Sequence, residues 1–90
     1  MEQKAKRILV VDDKPNNLSL VTSILRPEYE VLLANNGERA ILIAKDQVPD
    51  LILLDIMMPK LDGIGMLKQY REKMPDSQVP VIMLSNLGEV

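Results

Sequence analysis

Three aspartates and one serine stand where a folded chain can use them together. Asp12 and Asp13 follow the apolar run Ile8-Leu9-Val10-Val11, Asp55 follows Leu51-Ile52-Leu53-Leu54, and Ser85 follows Val81-Ile82-Met83-Leu84. Any one of them alone is an ordinary turn or helix cap, the common use of Asp and Ser after a strand. Three carboxylates delivered from two strands to one crevice are a different matter, because like charges in one site oppose each other's ionisation. A hard divalent cation relieves that repulsion. Mg²⁺ takes a few carboxylate or carbonyl oxygens together with water and phosphate, which matches this set. On that reading Asp12 and Asp13 form the cation-binding pair. Asp55 comes singly from another strand, ahead of a loop that leaves an oxygen accessible. A carboxylate so placed can attack phosphorus and form an acyl phosphate when a metal neutralises the incoming group. Ser85 can then donate a hydrogen bond to a phosphoryl oxygen.

Composition narrows the alternatives. The 90 residues contain no histidine and no cysteine. Histidine-dependent nucleophilic catalysis, zinc bound by His or Cys, and a disulfide framework are therefore excluded within this chain. Chemistry is left to carboxylates, hydroxyls, amides and lysines. With 47% apolar and 27% charged residues the chain has the make-up of a folded globular domain, not of a disordered segment. A net charge of −2 argues against a general nucleic-acid surface. Neither G-x-x-x-x-G-K-[ST] nor G-x-G-x-x-G occurs, so nucleotide binding of those kinds is not indicated. No stretch approaches the roughly 20 apolar residues that span a bilayer. The charged start Met1–Arg7 leads directly into a four-residue apolar run, unlike a signal peptide. A cytoplasmic location is expected.

The elements that position these residues can be read from the same sequence. The four apolar runs Ile8–Val11, Val31–Ala34, Leu51–Leu54 and Val81–Leu84 do not alternate with polar residues. They suit strands buried on both faces of a parallel sheet. Between them lie three helical segments. Pro15 fits the first turn of one that carries Leu18, Val21 and Leu25 and is closed by Pro27. An Asn of Asn35-Asn36-Gly37 caps the next, which runs through Asp46 and packs Ala40, Ile43 and Ala44. The third follows Asp62-Gly63, carries Ile64, Leu67, Tyr70 and Met74, and ends before Pro75; Tyr70 is read as packing. The order β-α-β-α-β-α-β predicts one α/β domain with a doubly wound parallel sheet and right-handed crossovers. Ligands bind such sheets outside the carboxyl ends of the strands, where the aspartates and the serine fall.

Three segments carry a family resemblance: Ile8-Leu9-Val10-Val11-Asp12-Asp13, the run Leu51-Ile52-Leu53-Leu54-Asp55-Ile56-Met57-Met58-Pro59-Lys60-Leu61-Asp62-Gly63, and Pro80-Val81-Ile82-Met83-Leu84-Ser85. In order and spacing they resemble the receiver domains of response regulators in two-component systems, over essentially the whole chain. The resemblance implies a flavodoxin-like sheet in the order 2-1-3-4. It implies that Asp55 accepts a phosphoryl group from a histidine kinase or a phosphotransfer protein. Asp13 then binds Mg²⁺ directly, Asp12 assists through water, and the backbone carbonyl of Met57 is a further ligand. Ser85 couples phosphorylation to a surface change, while Pro59 and Gly63 shape the loop after the phosphorylation site. The run Asp13-Lys14-Pro15-Asn16-Asn17 resembles receivers of hybrid kinases or cyclic-nucleotide output proteins.

The chain departs from the family pattern in two ways. Its sequence stops after the fourth strand, so residues 1–90 are expected to be a partial receiver without the fifth strand and the last helices. The lysine and the aromatic residue that the family carries on that strand have no counterpart here; Lys14 and Lys60 are read as solvated surface charges. Asn86 also stands where the family usually has a small residue. An uncovered fourth-strand edge is a template for pairing, so self-association through it is expected. A docking module that works without phosphotransfer fits the same residues, and its binding would survive Asp55→Asn. An aspartyl-nucleophile phosphatase would want a second Asp at the position of Met57 as acid/base, so an enzyme of that kind is not expected.

Overall fold

A computed structural model of the protein describes residues 6–55 and 63–84. Its elements follow in the order β1 (Arg7–Val11), α1 (Pro15–Leu25), β2 (Glu30–Ala34), α2 (Gly37–Asp46), β3 (Leu51–Asp55), α3 (Gly63–Lys73) and β4 (Val81–Leu84). The strands form one parallel sheet in the order β2-β1-β3-β4, as expected from the apolar runs and the resemblance. Because each crossover is right-handed, the step from β1 out to β2 puts α1 on one face. The steps back across the sheet put α2 and α3 on the other.

The two faces are not equally filled. Leu9, Val11, Ile52 and Leu54 point to the α2/α3 face and are all but fully buried, together with Ala40, Ile41, Ala44, Met66 and Tyr70. Small residues on α2 let the helix axis approach the sheet closely, and each large side chain buried here contributes about 1.5–3 kcal/mol. On the α1 face Ile8 and Val10 are buried, but Leu33 on β2 and Ile82 on β4 remain exposed. Helix α1 itself has no buried residue; Leu18, Val21 and Leu25 are half-buried against the sheet, and Leu20 and Ile24 face solvent.

Local signals explain the helix ends. Pro15 occupies the first turn of α1, where a missing N–H costs nothing. Pro27 follows its C-cap Arg26 and cannot continue the helix. Asn36 caps α2 by accepting from the Arg39 N–H at 2.8 Å, with Glu38 in the first turn and Lys45 in the last, both favourably placed for the helix dipole. Helix α3 and the residue that follows it pack Leu67, Tyr70 and Met74 on the core as expected and depart at one position. Ile64 is 57% exposed, and Met66 takes the core position beside Gly63 and Tyr70. In α2 likewise Ile41 is buried while Ile43 packs at the rim. The Tyr70 hydroxyl lies 2.5 Å from Ser77 Oγ, which also accepts from the Val79 N–H at 3.3 Å. That pair ties the end of α3 to the segment entering β4.

Candidate functional site

Strands β1 and β3 are hydrogen-bonded neighbours, with Val11 in register with Leu54. Their next residues, Asp12 and Asp55, therefore leave the sheet side by side at its carboxyl end, and Asp13 follows at once. One last rung, from the Asp12 N–H to the Ala34 carbonyl at 3.1 Å, holds this corner to β2. The opposite end of the sheet is closed by ordinary polar contacts. There the Arg7 N–H donates to Asp50 Oδ2 at 2.7 Å, and Arg7 Nε pairs with Glu30 Oε2 at 2.6 Å.

Carboxylate oxygens of Asp12, Asp13 and Asp55 all lie within 4.8 Å of one another. Asp12 is 8% and Asp55 5% exposed. Asp12 is held on both oxygens: the Lys14 N–H donates to Oδ1 at 2.9 Å and the Asn17 amide donates to Oδ2 at 3.1 Å. Asp13 is held less well. Its Oδ1 is buried with no hydrogen-bond partner among the described residues, and the Lys14 ammonium stands 3.7 Å away. Each pair of negative charges at this separation repels by about 3 kcal/mol at an effective dielectric of ~20. The Lys14 ammonium is half exposed and offsets about 1 kcal/mol at most.

An all-oxygen set of three carboxylates, one with an orphaned buried oxygen, fits a hard divalent cation and not a soft one. The structure thus brings together the three aspartates singled out from the sequence. Met57, Pro59, Lys60, Ser85 and Asn86 lie outside the described residues. Reading the sequence alone left Lys14 as a solvated charge and gave Asn17 no role. The signals for Asn17 are its membership of the run Asp13-Lys14-Pro15-Asn16-Asn17 and its place in the first turn of a helix that starts one residue beyond the paired aspartates.

Comparison with known proteins agrees with this fold. The model of the response regulator receiver domain matches residues 8–90. The probable transcriptional regulator ycf27 of Pyropia yezoensis is 46% identical over 91 residues, covering 100% of this chain and 36% of that protein. The alkaline phosphatase synthesis transcriptional regulatory protein PhoP of Bacillus subtilis is 43% identical over 85 residues, covering 93% of this chain and 35% of its own. The chain thus spans about a third of the length of these curated relatives. Among solved structures, the response regulator TrrA of Thermotoga maritima in complex with Mg(2+)-BeF superposes with a TM-score of 0.78 at 41% identity. That match covers 89% of this chain and 69% of that one. The chemotaxis protein CheY4 of Vibrio cholerae gives a TM-score of 0.82 at 29% identity, covering 88% and 67%.

Proposed function

Since this chain belongs to the response regulator receiver family, we propose that Asp55 is the residue through which it serves as a phosphoacceptor in two-component signalling. The observation that carries the reading is the meeting of three carboxylates within 4.8 Å at the carboxyl end of adjacent parallel strands, with the single one on β3. An oxygen of Asp55 attacks the phosphorus of a phosphohistidine on a sensor kinase or phosphotransfer protein. The new O–P bond forms as the N–P bond breaks, and the leaving imidazole nitrogen takes a proton. The product is an acyl phosphate on Asp55. Asp12, Asp13, Asp55 and the Met57 carbonyl would hold Mg²⁺, which when bound would neutralise phosphoryl charge. Ser85 donates a hydrogen bond to a phosphoryl oxygen. The chemistry is confined to making and losing its own acyl phosphate.

Hydrogen bonding supports the division of roles: Asp12 is fixed by a donor on each oxygen and is poorly placed to swing into attack. No helix among the described residues is long and apolar enough to cross a membrane. The test is incubation with a small phosphodonor and Mg²⁺, read by intact mass. Wild type gains one phosphoryl mass and Asp55→Asn gains none. A folded wild type that gains no mass would sink the reading and favour docking without phosphotransfer. A second reading concerns the exposed Ile82 and Met83 on β4, which ends the sheet among the described residues. These make β4 the edge for self-association. Sedimentation at high concentration that shows only monomer would rule this out.

A further inference from the structure

We propose that Asn17 is a positioning residue of the cation site, acting through Asp12; this rests on the reading of the aspartate cluster given above. Asp12 is more than nine-tenths buried, and a buried carboxylate is stable only where its oxygens find donors. It finds them on the incoming helix. Lys14, the N-cap of α1, donates its backbone N–H to Oδ1, and Asn17, in the first turn, donates its side-chain amide to Oδ2. A carboxylate only accepts, so the nitrogen of the Asn17 amide, not its oxygen, faces Asp12.

The two donors do different work. The Lys14 N–H is backbone and would be present with any residue but proline at that position. It places Oδ1 two residues along the chain, as any Asx turn does. It holds Oδ1 alone and leaves the carboxylate able to pivot about that oxygen, carrying Oδ2 with it. Asn17 removes that freedom by pinning the second oxygen. With one donor on each oxygen, the remaining lone pairs have fixed directions, and one oxygen of each of Asp13 and Asp55 lies within 4.8 Å of an Asp12 oxygen. Asp13 has no comparable support, its Oδ1 lacking a hydrogen-bond partner among the described residues. The pre-organised half of the paired aspartates is therefore Asp12, and Asn17 is the side chain that pre-organises it. Outer partners of metal-binding carboxylates and imidazoles work in this way, and their loss typically weakens metal binding by about 10–100-fold.

The experiment is titration calorimetry with MgCl₂ on the full chain, alongside thermal denaturation in chelator. Asn17→Leu keeps the side-chain size and removes the donor. It is expected to bind Mg²⁺ about tenfold more weakly. Asn17→Gln, which retains an amide on a longer stem, is expected to recover part of the loss. Should Asn17→Leu fail to fold, Asn17→Ser carries the same expectation, its hydroxyl being shorter than the amide it replaces. A purely structural role at the start of α1 would lower the melting temperature and leave the Mg²⁺ dissociation constant unchanged. That result, with wild type binding normally, overturns the proposal alone. Absence of any Mg²⁺ binding by folded wild type overturns the cation-site reading and this proposal with it.

Discussion

Replacing Asp13 with asparagine takes one negative charge out of the crevice at nearly constant size, and the crowding of the three carboxylates predicts its consequence. Asp13 has two charged neighbours with oxygens within 4.8 Å, each repelling it by about 3 kcal/mol at an effective dielectric of ~20. Its side chain is 25% exposed, so water and salt remove much of that energy. The Lys14 ammonium, 3.7 Å away and half exposed, offsets about 1 kcal/mol at most, and that attraction is lost with the charge. Asp12 keeps both of its donors, since neither comes from the Asp13 side chain. The net expectation is a gain of about 1–2 kcal/mol for Asp13→Asn in chelator and low salt. In a domain of this size each kcal/mol shifts the melting temperature by about 4–8 °C, so the variant should melt roughly 5–15 °C higher. Mg²⁺ should then close the gap. At ten times its dissociation constant the cation stabilises wild type by about 1.4 kcal/mol, while the variant, short of one ligand charge, gains less. The assay is a pair of melting curves for each protein, in EDTA and in MgCl₂. If Asp13→Asn melts at or below wild type in EDTA, repulsion does not dominate this cluster and the argument for a cation site loses its electrostatic basis.

Other perturbations test the frame that holds the site. Tyr70→Phe removes the hydroxyl that meets Ser77 Oγ and should cost about 1 kcal/mol; Ser77→Ala should cost a similar amount, and the double variant less than the sum, measured by urea denaturation. Asn36→Ala leaves the Arg39 N–H without its cap and should destabilise by about 0.5–2 kcal/mol in the same assay. Ala40→Leu forces a larger side chain between α2 and the sheet, where Ala40 is fully buried, and should cost about 1–3 kcal/mol. Ile82→Lys places a charge on the β4 edge and should abolish self-association with little change in melting temperature, read by sedimentation velocity.

How far the sequence goes is clearest in α3. Ile64, Leu67, Tyr70 and Met74 recur at helical spacing, and Gly63 and Met66 fall beside them, so periodicity alone does not say which edge of this broad stripe meets the sheet. The packed structure buries Met66 and Tyr70, keeps Leu67 and Met74 at the rim of the core and leaves Ile64 in water. The strands posed no such ambiguity. A strand buried on both faces is apolar at every position, so Ile8–Val11 and Leu51–Leu54 declare themselves without reference to any partner. Once they are parallel neighbours, the residues after them must emerge together at the carboxyl end, and for that reason Asp12, Asp13 and Asp55 were legible as one cluster. Sequence by itself thus determined the order of elements and the address of the three aspartates. What the tertiary structure decided was orientation. It placed Asn17 on Asp12 five residues away, left Asp13 Oδ1 without a hydrogen-bond donor among the described residues, and brought Lys14 within 3.7 Å of that oxygen. Such contacts depend on side-chain direction at a strand-to-helix corner, which no spacing rule encodes because it is set by where α1 docks on the sheet.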